Sequence, residues 1–387
     1  MHSGRSIRIV LMRKNPVIPF VLFVLSFITG LLFLNCTFIH QGQFGLFLLT
    51  PDYFRQALTE PFPFSYILSS FLVQFYDIPA VGALLTAAMT LAVYFLVNGI
   101  LRRFGVDFRF SGVLISCLFF VFAALSPTPQ YAVAALLALL ALRLLCLFLK
   151  PKAAATLPPL NILSICIIAG ACVFVALNPK ARQTELHSKM EVFSRQHQWD
   201  RILKAAGPEV ARKDRYVIPY AMLALNAKGQ LISGMDAYPV RGPEDLDMDG
   251  VVSREAYWFS SILYECLGCS NEAIHCVFQA SCFLPQGMSH ISLYQLIRFN
   301  IENENSTLVR KYARILMRSP RHRGVARKIL DTYGNLPDRA RTEDKAAAGV
   351  ITKSPKYNLA EIFKAGIASS LVAERLAAYM KLSGGTE

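Results

Sequence analysis

The chain has 387 residues, of which 54% are hydrophobic, and its mean hydropathy is +0.39. This composition excludes an ordinary water-soluble protein, because the apolar excess is concentrated in the N-terminal half. The formal net charge of +14 points to no reaction, but the positions of the basic residues are informative about membrane orientation.

The first 178 residues contain five apolar stretches that can cross a bilayer as helices. A span needs about 20 apolar residues to cross roughly 30 Å of hydrocarbon. The stretches lie at about 17–38, 79–101, 111–126, 131–149 and 160–178. The third is short and would need flanking residues or local thinning of the bilayer. We therefore expect an all-α protein with a transmembrane domain over residues 1–178.

Lys and Arg in short loops indicate the orientation of these spans. Basic residues occur in the N-terminal tail and in the loops after the second and fourth spans, namely Arg5, Arg8, Arg13, Lys14, Arg102, Arg103, Arg109, Lys150 and Lys152. The other loops are poor in them. No small-residue cleavage site follows the first stretch, so we expect it to remain as a span rather than act as a signal peptide. The N-terminus is then inside a bacterial inner membrane, and the C-terminal domain lies in the periplasm.

The segment Phe62–Tyr76 leaves the number of spans open. It is apolar but only about 15 residues long, and prolines flank its start. We expect a half-buried or re-entrant helix there. If the segment crossed the membrane instead, the chain would have six spans and its C-terminal domain would face the cytoplasm.

Residues 179–387 have the pattern of a soluble domain made of amphipathic helices. Breaks near residues 198, 229, 268 and 305 are about 31 to 39 residues apart, a spacing typical of tetratricopeptide-like arrays of paired helices. The full repeat signature is absent. The side chains expected in the core are Trp199, Tyr257, Trp258, Leu263, Tyr294 and Leu316.

Three segments resemble an uncharacterised family of Bacteroidota multi-pass membrane proteins. They are AYWFSSILYECLGCSNEAIHCVFQA at 256–280, SLYQLIRFNIENENSTLVRKYARILMRSP at 292–320, and DYFRQALTEPFPFSYILSSFLVQFYDIPAVGALLTAAM at 52–89. The resemblance implies an inner-membrane protein with a helical C-terminal region. It supplies no activity.

The acidic residues Asp245, Asp247 and Asp249 alternate before Gly250, as they do at the start of a calcium-binding loop. Such a loop should close with an acidic residue at its twelfth position, where this chain has Ala256. The other interpretation is an acidic turn that leads into a helix. Calcium is thus a weak expectation, and no other cofactor is expected.

Four cysteines, Cys266, Cys269, Cys276 and Cys282, surround His275. Zinc, a disulfide and plain packing are all compatible with such a group, although the later spacings match no ordinary zinc site. On predicted helices, cysteine behaves as a small hydrophobic residue. We favour packing.

The segment Arg310–Lys328 carries eight Lys or Arg residues and no acid. On a periplasmic domain such a segment has little nucleic acid to meet, so we expect no nucleic-acid partner. A solvated helix face, or contact with a partner or with anionic headgroups, fits better.

Asp52 and Glu60 are the carboxylates expected in the first external loop. Membrane glycosyltransferases that use lipid-linked donors keep a catalytic acid in a comparable loop, and this layout is similar in outline. The alternative is a helix start at Thr50–Tyr53, where Pro and Asp are favoured. No other catalytic or nucleotide-binding motif occurs in the sequence.

Two classes of function follow. A membrane-anchored scaffold that binds other envelope proteins is favoured, because stacked helical hairpins form an extended surface. The alternative is an envelope glycan or lipid-linked sugar transferase that uses Asp52 or Glu60.

Overall fold

The structure is a computed structural model that describes residues 16–107, 109–149, 155–156, 161–248, 251–334, 336–337, 359–362 and 369–384. In chain order the α-helices are α1 Val17–Phe33, α2 Asn35–Phe44, α3 Pro51–Ala57, α4 Pro63–Val73, α5 Pro79–Arg103, α6 Arg109–Leu125, α7 Gln130–Leu145, α8 Asn161–Leu177, α9 Pro179–Arg195, α10 Trp199–Ala205, α11 Pro208–Lys213, α12 Ile218–Ala227, α13 Leu231–Gly234, α14 Arg254–Cys266, α15 Ser270–Ser281, α16 His290–Glu302, α17 Ser306–Leu316, α18 Arg323–Tyr333 and α19 Ser370–Leu382.

Nearly all the regular structure in these ranges is α-helix. Short 3-10 turns occupy Cys146–Phe148, Arg215–Val217, Met235–Ala237 and Pro243–Leu246. The strands β1 Val106–Asp107 and β2 Ala155–Thr156 form one parallel pair, with Val106 opposite Ala155. Residues 359–362 are also helical. The expected all-α class is confirmed.

Two helices of the described part are long and apolar enough to cross a membrane on their own. They are α5 and the helical stretch Gln130–Phe148, which extends α7. Two bent pairs pass the same test if each counts as one span: α1 with α2, bent by 78°, and α8 with α9, bent by 51°. The described chain thus has two to four candidate spans by length and composition. The expected third span corresponds to α6, which is apolar but shorter than this test requires.

Small residues let the apolar helices approach one another closely. A Cβ added at Gly82 would lie 2.8 Å from the Phe38 ring, and one at Gly112 would lie 2.6 Å from Asn98 Oδ1. Such glycine contacts are typical of helices that pack inside a bilayer. Large apolar side chains stay exposed around the same helices, among them Phe20, Phe95, Leu118, Phe148 and Phe174.

The helix α4 is apolar but has only 11 residues. Its N-terminal end lies beside the start of α7, where the Gln130 amide donates to the Pro61 carbonyl at 2.6 Å. Five residues separate its C-terminal end from the start of α5. Both ends of α4 therefore lie near the starts of α5 and α7, and the half-buried or re-entrant helix stays a prediction.

The C-terminal half stacks its helices in sequence order, so that α14, α15, α16, α17 and α18 each pack against the next. The predicted breaks coincide with the junctions between helices, and Gly229 and Gly268 have the positive φ that ends a helix with little strain. Asn305 caps α17, because its side chain accepts the Leu308 N–H.

The expected core residues lie in or against one hydrophobic cluster of the C-terminal half. Trp258, Leu263 and Leu316 are fully buried there. The others are partly buried and pack against it: Trp199, Tyr257 and Tyr294. The cluster also includes Leu46, which follows α2 in the N-terminal half. The two halves of the chain therefore share a core.

Candidate functional site

The junction of the two halves begins at the start of α2, where the preceding residue, Leu34, supplies no side-chain cap. The Glu185 carboxylate of α9 accepts hydrogen bonds from the Cys36 N–H at 3.1 Å and the Thr37 N–H at 2.9 Å. It also accepts from the Thr37 hydroxyl at 2.9 Å. A carboxylate there satisfies exposed amides and favours the positive end of the helix. A residue of the C-terminal half thus caps a helix of the N-terminal half.

Two turns further along α9, the buried Glu191 is the centre of a charged cluster. His40 Nε2 of α2 lies 3.1 Å from its carboxylate, and the Tyr216 hydroxyl donates to the same group at 3.1 Å. Arg254 Nη1 lies 3.8 Å away. Burial by itself would raise the pKa of Glu191. The neighbouring His40, Arg254 and Arg195 side chains more than offset this effect and hold the pKa of Glu191 well below its usual range.

Two arginines of this cluster also pack against aromatic rings. The Arg254 guanidinium lies 4.2 Å from the Phe44 ring centre, and Arg195 lies 5.7 Å from that of Trp258. The two rings contact each other edge to face at 5.1 Å. Burial lowers the pKa of Arg195 to about 10, although Glu191 opposes that shift. The cluster joins α2, α9 and α14 into one polar and aromatic contact.

A cavity of about 350 Å³ lies beside this cluster. Its polar wall comes from α9 and α14 and includes Glu191 and Arg254. Its apolar wall comes from the ends of α1 and α6 and includes Leu34 and Leu125. The cavity is therefore at the boundary between the apolar helices and the C-terminal half, and its lining changes from apolar to charged across it.

A second contact joins the end of α4 to the turn between α17 and α18. The buried Gln74 amide oxygen accepts from the Ser319 hydroxyl at 3.2 Å and from the Arg321 N–H at 3.1 Å. Arg321 Nη2 also pairs with Asp77 at 2.9 Å. Backbone bonds extend the contact, since the Leu49 N–H donates to the Arg318 carbonyl. The segment from α2 to α5 is thereby fixed to the last stacked helices.

Two histidines are packed together behind this second contact. Their ring centres are 4.1 Å apart, His290 Nε2 lies 3.1 Å from the Ser319 hydroxyl, and His322 Nδ1 lies 3.0 Å from the Tyr294 hydroxyl. Burial, with the neighbouring His322, lowers the pKa of His290 to about 3. Burial, with the neighbouring Arg321, lowers the pKa of His322 to about 4. Both rings are neutral at pH 7.

The expected catalytic carboxylates lie outside both contacts. Thr50 caps α3 and Pro51 begins it, which confirms the interpretation of this segment as a helix start. The Asp52 side chain is 89% exposed and pairs with Arg55 at 3.1 Å. Glu60 is half-buried near Tyr66. Neither carboxylate lines the cavity at the junction, and the chain does not enclose Asp52.

The expected calcium ligands are only partly described. Arg215 Nη2 lies 2.6 and 2.5 Å from the two carboxylate oxygens of Asp245, and the Arg241 N–H donates to the same group. Asp247 is buried near the Arg375 guanidinium. Asp249 lies outside the described residues. Among described residues, no three His, Cys, Asp or Glu side chains are grouped to hold a metal. Calcium stays a prediction, and it would have to displace Arg215.

The four cysteines occupy two kinds of position. Cys269 and Cys276 are buried in the C-terminal core, and Cys266 packs against it. Burial raises the pKa of all three thiols to about 12, so they are unreactive at neutral pH. Cys282 and His275 are exposed. Three of the four cysteines thus behave as packed hydrophobic side chains.

The sequence analysis missed the junction residues, Glu185, Glu191, His40 and Arg254. One signal was present: α9 buries Ala181, Glu185, Ser188 and Glu191, which recur every three or four residues along one helix face. Two acids on the buried face of a helix need partners, and this face therefore indicated a polar contact.

The described helices define an all-helical protein in which candidate membrane-crossing helices are fixed to a stack of further helices. The chain belongs to the family of unknown function DUF6057, whose profile matches residues 10–178 and 126–348. No curated protein and no solved structure matches the chain. The expected membership of an uncharacterised family is confirmed, and membership brings no activity with it.

Proposed function

We propose that the protein is a membrane-anchored interaction protein. In this proposal five spans cross a bacterial inner membrane with the N-terminus inside, and the lipid bilayer surrounds them. The C-terminal half is periplasmic and gathers other envelope proteins on a tetratricopeptide-like surface.

The observation that carries the proposal is the polar junction around Glu191 and Gln74. Buried ion pairs and hydrogen bonds hold the stacked helices in one position relative to the apolar helices. A surface held in this way stays at a set height above a membrane, as a docking platform requires. The array itself is suited to binding because each helix pair adds to one continuous surface.

The five-span topology is supported by short connections between apolar helices. The links from α5 to α6 and from α6 to α7 have five and four residues, which is compatible with helices that reverse direction. In the proposed topology α1 and α8 bring the number of spans to five. Arg102 and Arg103 end α5, whereas the start of α5 lies near the contact between Asp77 and Arg321 of the C-terminal half. Basic residues at that end fit the cytoplasmic side.

The surface proposed for partners is the basic face of α17 and α18. Lys311, Arg314 and Arg318 are exposed and recur at helical spacing on α17 and its end, and Arg323 and Arg327 do so on α18. An acidic surface on a partner protein would complement this face.

Photo-crosslinking in cells tests the proposal. A photoreactive residue at Arg314 should yield a discrete protein adduct. The same residue at the exposed Lys204 on α10 serves as the control. An adduct at Arg314 that disappears with Arg323→Glu and Arg327→Glu supports the interaction role. Absence of any adduct from α17 and α18 at normal protein levels contradicts it.

A transferase that uses Asp52 or Glu60 is the alternative proposal. It would need the α3–α4 segment to close over Asp52 when a lipid-linked sugar binds. The test is complementation with Asp52→Ala and Glu60→Ala. Loss of an envelope glycan at normal protein levels would favour the transferase, and unchanged glycan with stable partners would favour the interaction protein.

A further inference from the structure

The helix α9 presents a column of hydrogen-bond donors to the cavity at the junction. Lys180, Thr184 and Ser188 follow one another at four-residue intervals, so they lie on one face of the helix, and all three line the cavity. Within the described part of the chain, neither the Lys180 ammonium nor the hydroxyls of Thr184 and Ser188 have a hydrogen-bond partner. Ser188 is also buried. Lys180 and Thr184 are exposed at the outer part of the column. A polar group of a buried side chain is rarely left without a partner, so the Ser188 hydroxyl at the inner end of the column indicates a ligand in the cavity.

The other charges around the cavity are already paired. Glu191 pairs with His40, and Arg254 bonds to Glu255. The His187 ring lies 2.7 Å from Asp214. Among the charged side chains that line the cavity, Lys180 therefore has no ion-pair partner in the described part of the chain. A ligand that fits this wall carries a negative charge and several acceptor oxygens, which is the chemistry of a phosphate group.

The opposite wall is apolar and belongs to the ends of the candidate spans. Leu34 follows α1, and Ala124 and Leu125 end α6. If these helices cross a bilayer, this wall lies at the level where acyl chains begin. The volume of about 350 Å³ is near the lower end of the roughly 300–1,000 Å³ range of small-molecule sites. It has room for a headgroup and the first carbons of the chains, but not for a whole lipid.

We propose that this cavity binds a phospholipid, with the headgroup phosphate held by Lys180, Thr184 and Ser188. The glycerol and the first acyl carbons lie against Leu34 and Leu125. A lipid bound there contacts both α9 and the ends of α1 and α6. The bound lipid therefore adds contacts between the two halves of the chain, and its binding does not depend on a protein partner.

Binding is measured with the full-length protein in detergent micelles by the rise of its melting temperature with ligand concentration. The probe is dioctanoyl phosphatidylglycerol, with glycerol 3-phosphate and inorganic phosphate as separate arms. Lys180→Met keeps the aliphatic stem and removes the charge. Thr184→Val keeps the shape and removes the hydroxyl. Lys204→Met is the matched control, since it removes an exposed charge far from the cavity.

The lipid should stabilise the wild type and the Lys204→Met variant alike. The apparent affinity for the lipid should fall about tenfold in Lys180→Met, since the phosphate loses its charged donor. Thr184→Val should lose about threefold to tenfold. Variant melting temperatures without lipid should match the wild type, because Lys180 and Thr184 are exposed.

Two outcomes would overturn the proposal. Equal lipid affinity in Lys180→Met and Lys204→Met would show that Lys180 does not bind the headgroup phosphate. Stabilisation by inorganic phosphate or glycerol 3-phosphate at the lipid's own concentration would show that the ligand is a soluble phosphate, and would overturn the assignment to a lipid.

Discussion

The two halves of the molecule satisfy their buried polar groups in different ways. Among the apolar helices, Thr86, Asn98 and Ser116 each bond to a carbonyl four residues earlier in the same helix. At the junction, Glu185 and Glu191 bond to groups far away in the sequence. Local bonds let a helix enter a bilayer without a polar partner, whereas distant bonds fix one half of the chain to the other. The comparison predicts that the same type of substitution has different consequences in the two regions.

The largest effect is expected for Glu191→Gln. This change keeps the shape, leaves Arg195 without the carboxylate that opposes its burial, and removes the charged acceptor of His40 and Tyr216. Removing one partner of a buried ion pair costs about 3–5 kcal/mol. Unfolding of the detergent-solubilised protein should show a loss in that range. Asp200→Asn is the control, because Asp200 is 87% exposed and pairs only at the surface with Lys228. A loss no larger than that of Asp200→Asn would contradict the assigned role of Glu191.

The apolar helices should be more sensitive to volume than to charge. Gly112→Ala forces a methyl group against the Asn98 side chain, which already bonds within its own helix. Overpacking of this kind costs about 1–3 kcal/mol. Adding Asn98→Ala to the Gly112→Ala variant should restore much of the lost stability, because it removes the side chain that the new methyl group would contact. A double variant as unstable as the sum of the single variants would show that the two helices do not meet as described.

The histidine pair makes the second contact sensitive to acid. His290 and His322 have pKa values of about 3 and 4 in the folded protein, below the value of about 6.5 for an unfolded chain. Between these values the unfolded state binds more protons, so stability is complete above about pH 6.5 and falls as the pH falls. The loss at pH 5 should reach up to about 2 kcal/mol per histidine.

Melting temperatures of the wild type and of His322→Gln between pH 7 and pH 4.5 test this expectation. The variant should show a shallower decline with acid, since it has one fewer group to protonate. Identical slopes for the two proteins would exclude His322 as the source. The neighbouring Asp77 and Arg321 are unchanged in both proteins, so they do not account for a difference in slope.

The smallest effect is expected for Asp52→Asn. Exposed ion pairs contribute about 0–1 kcal/mol, and Asp52 meets only Arg55 of its own helix. Stability should therefore change by less than about 0.5 kcal/mol. A larger loss of stability would mean that Asp52 has a buried partner in the folded protein.

The sequence predicted the helical hairpins well because their signals are local. The breaks at Gly229 and Gly268 need a positive φ, and burial of Trp258 and Leu263 follows from helical periodicity. The end of the first span was harder to place. The apolar run continues to about residue 38, whereas α1 ends at Phe33 and the chain bends by 78°.

The bend and the junction could not be predicted for the same physical reason. The amides that begin α2 are satisfied by Glu185, whose position in space depends on the whole fold. The partner of Glu191 is likewise on another helix. Each residue alone looks like an ordinary surface acid, and only a contact between distant segments gives it a role. The cavity beside Glu191 could not be predicted from the sequence for the same reason.

The most direct test of the fixed junction is a double-mutant cycle between His40 and Glu191. The free energy of unfolding is measured for the wild type, His40→Ala, Glu191→Gln and the double variant. Because the two side chains are 3.1 Å apart and Glu191 is buried, their coupling should exceed about 1 kcal/mol. Losses that add within about 0.3 kcal/mol would mean that the two halves are not joined at this point, and would contradict the account.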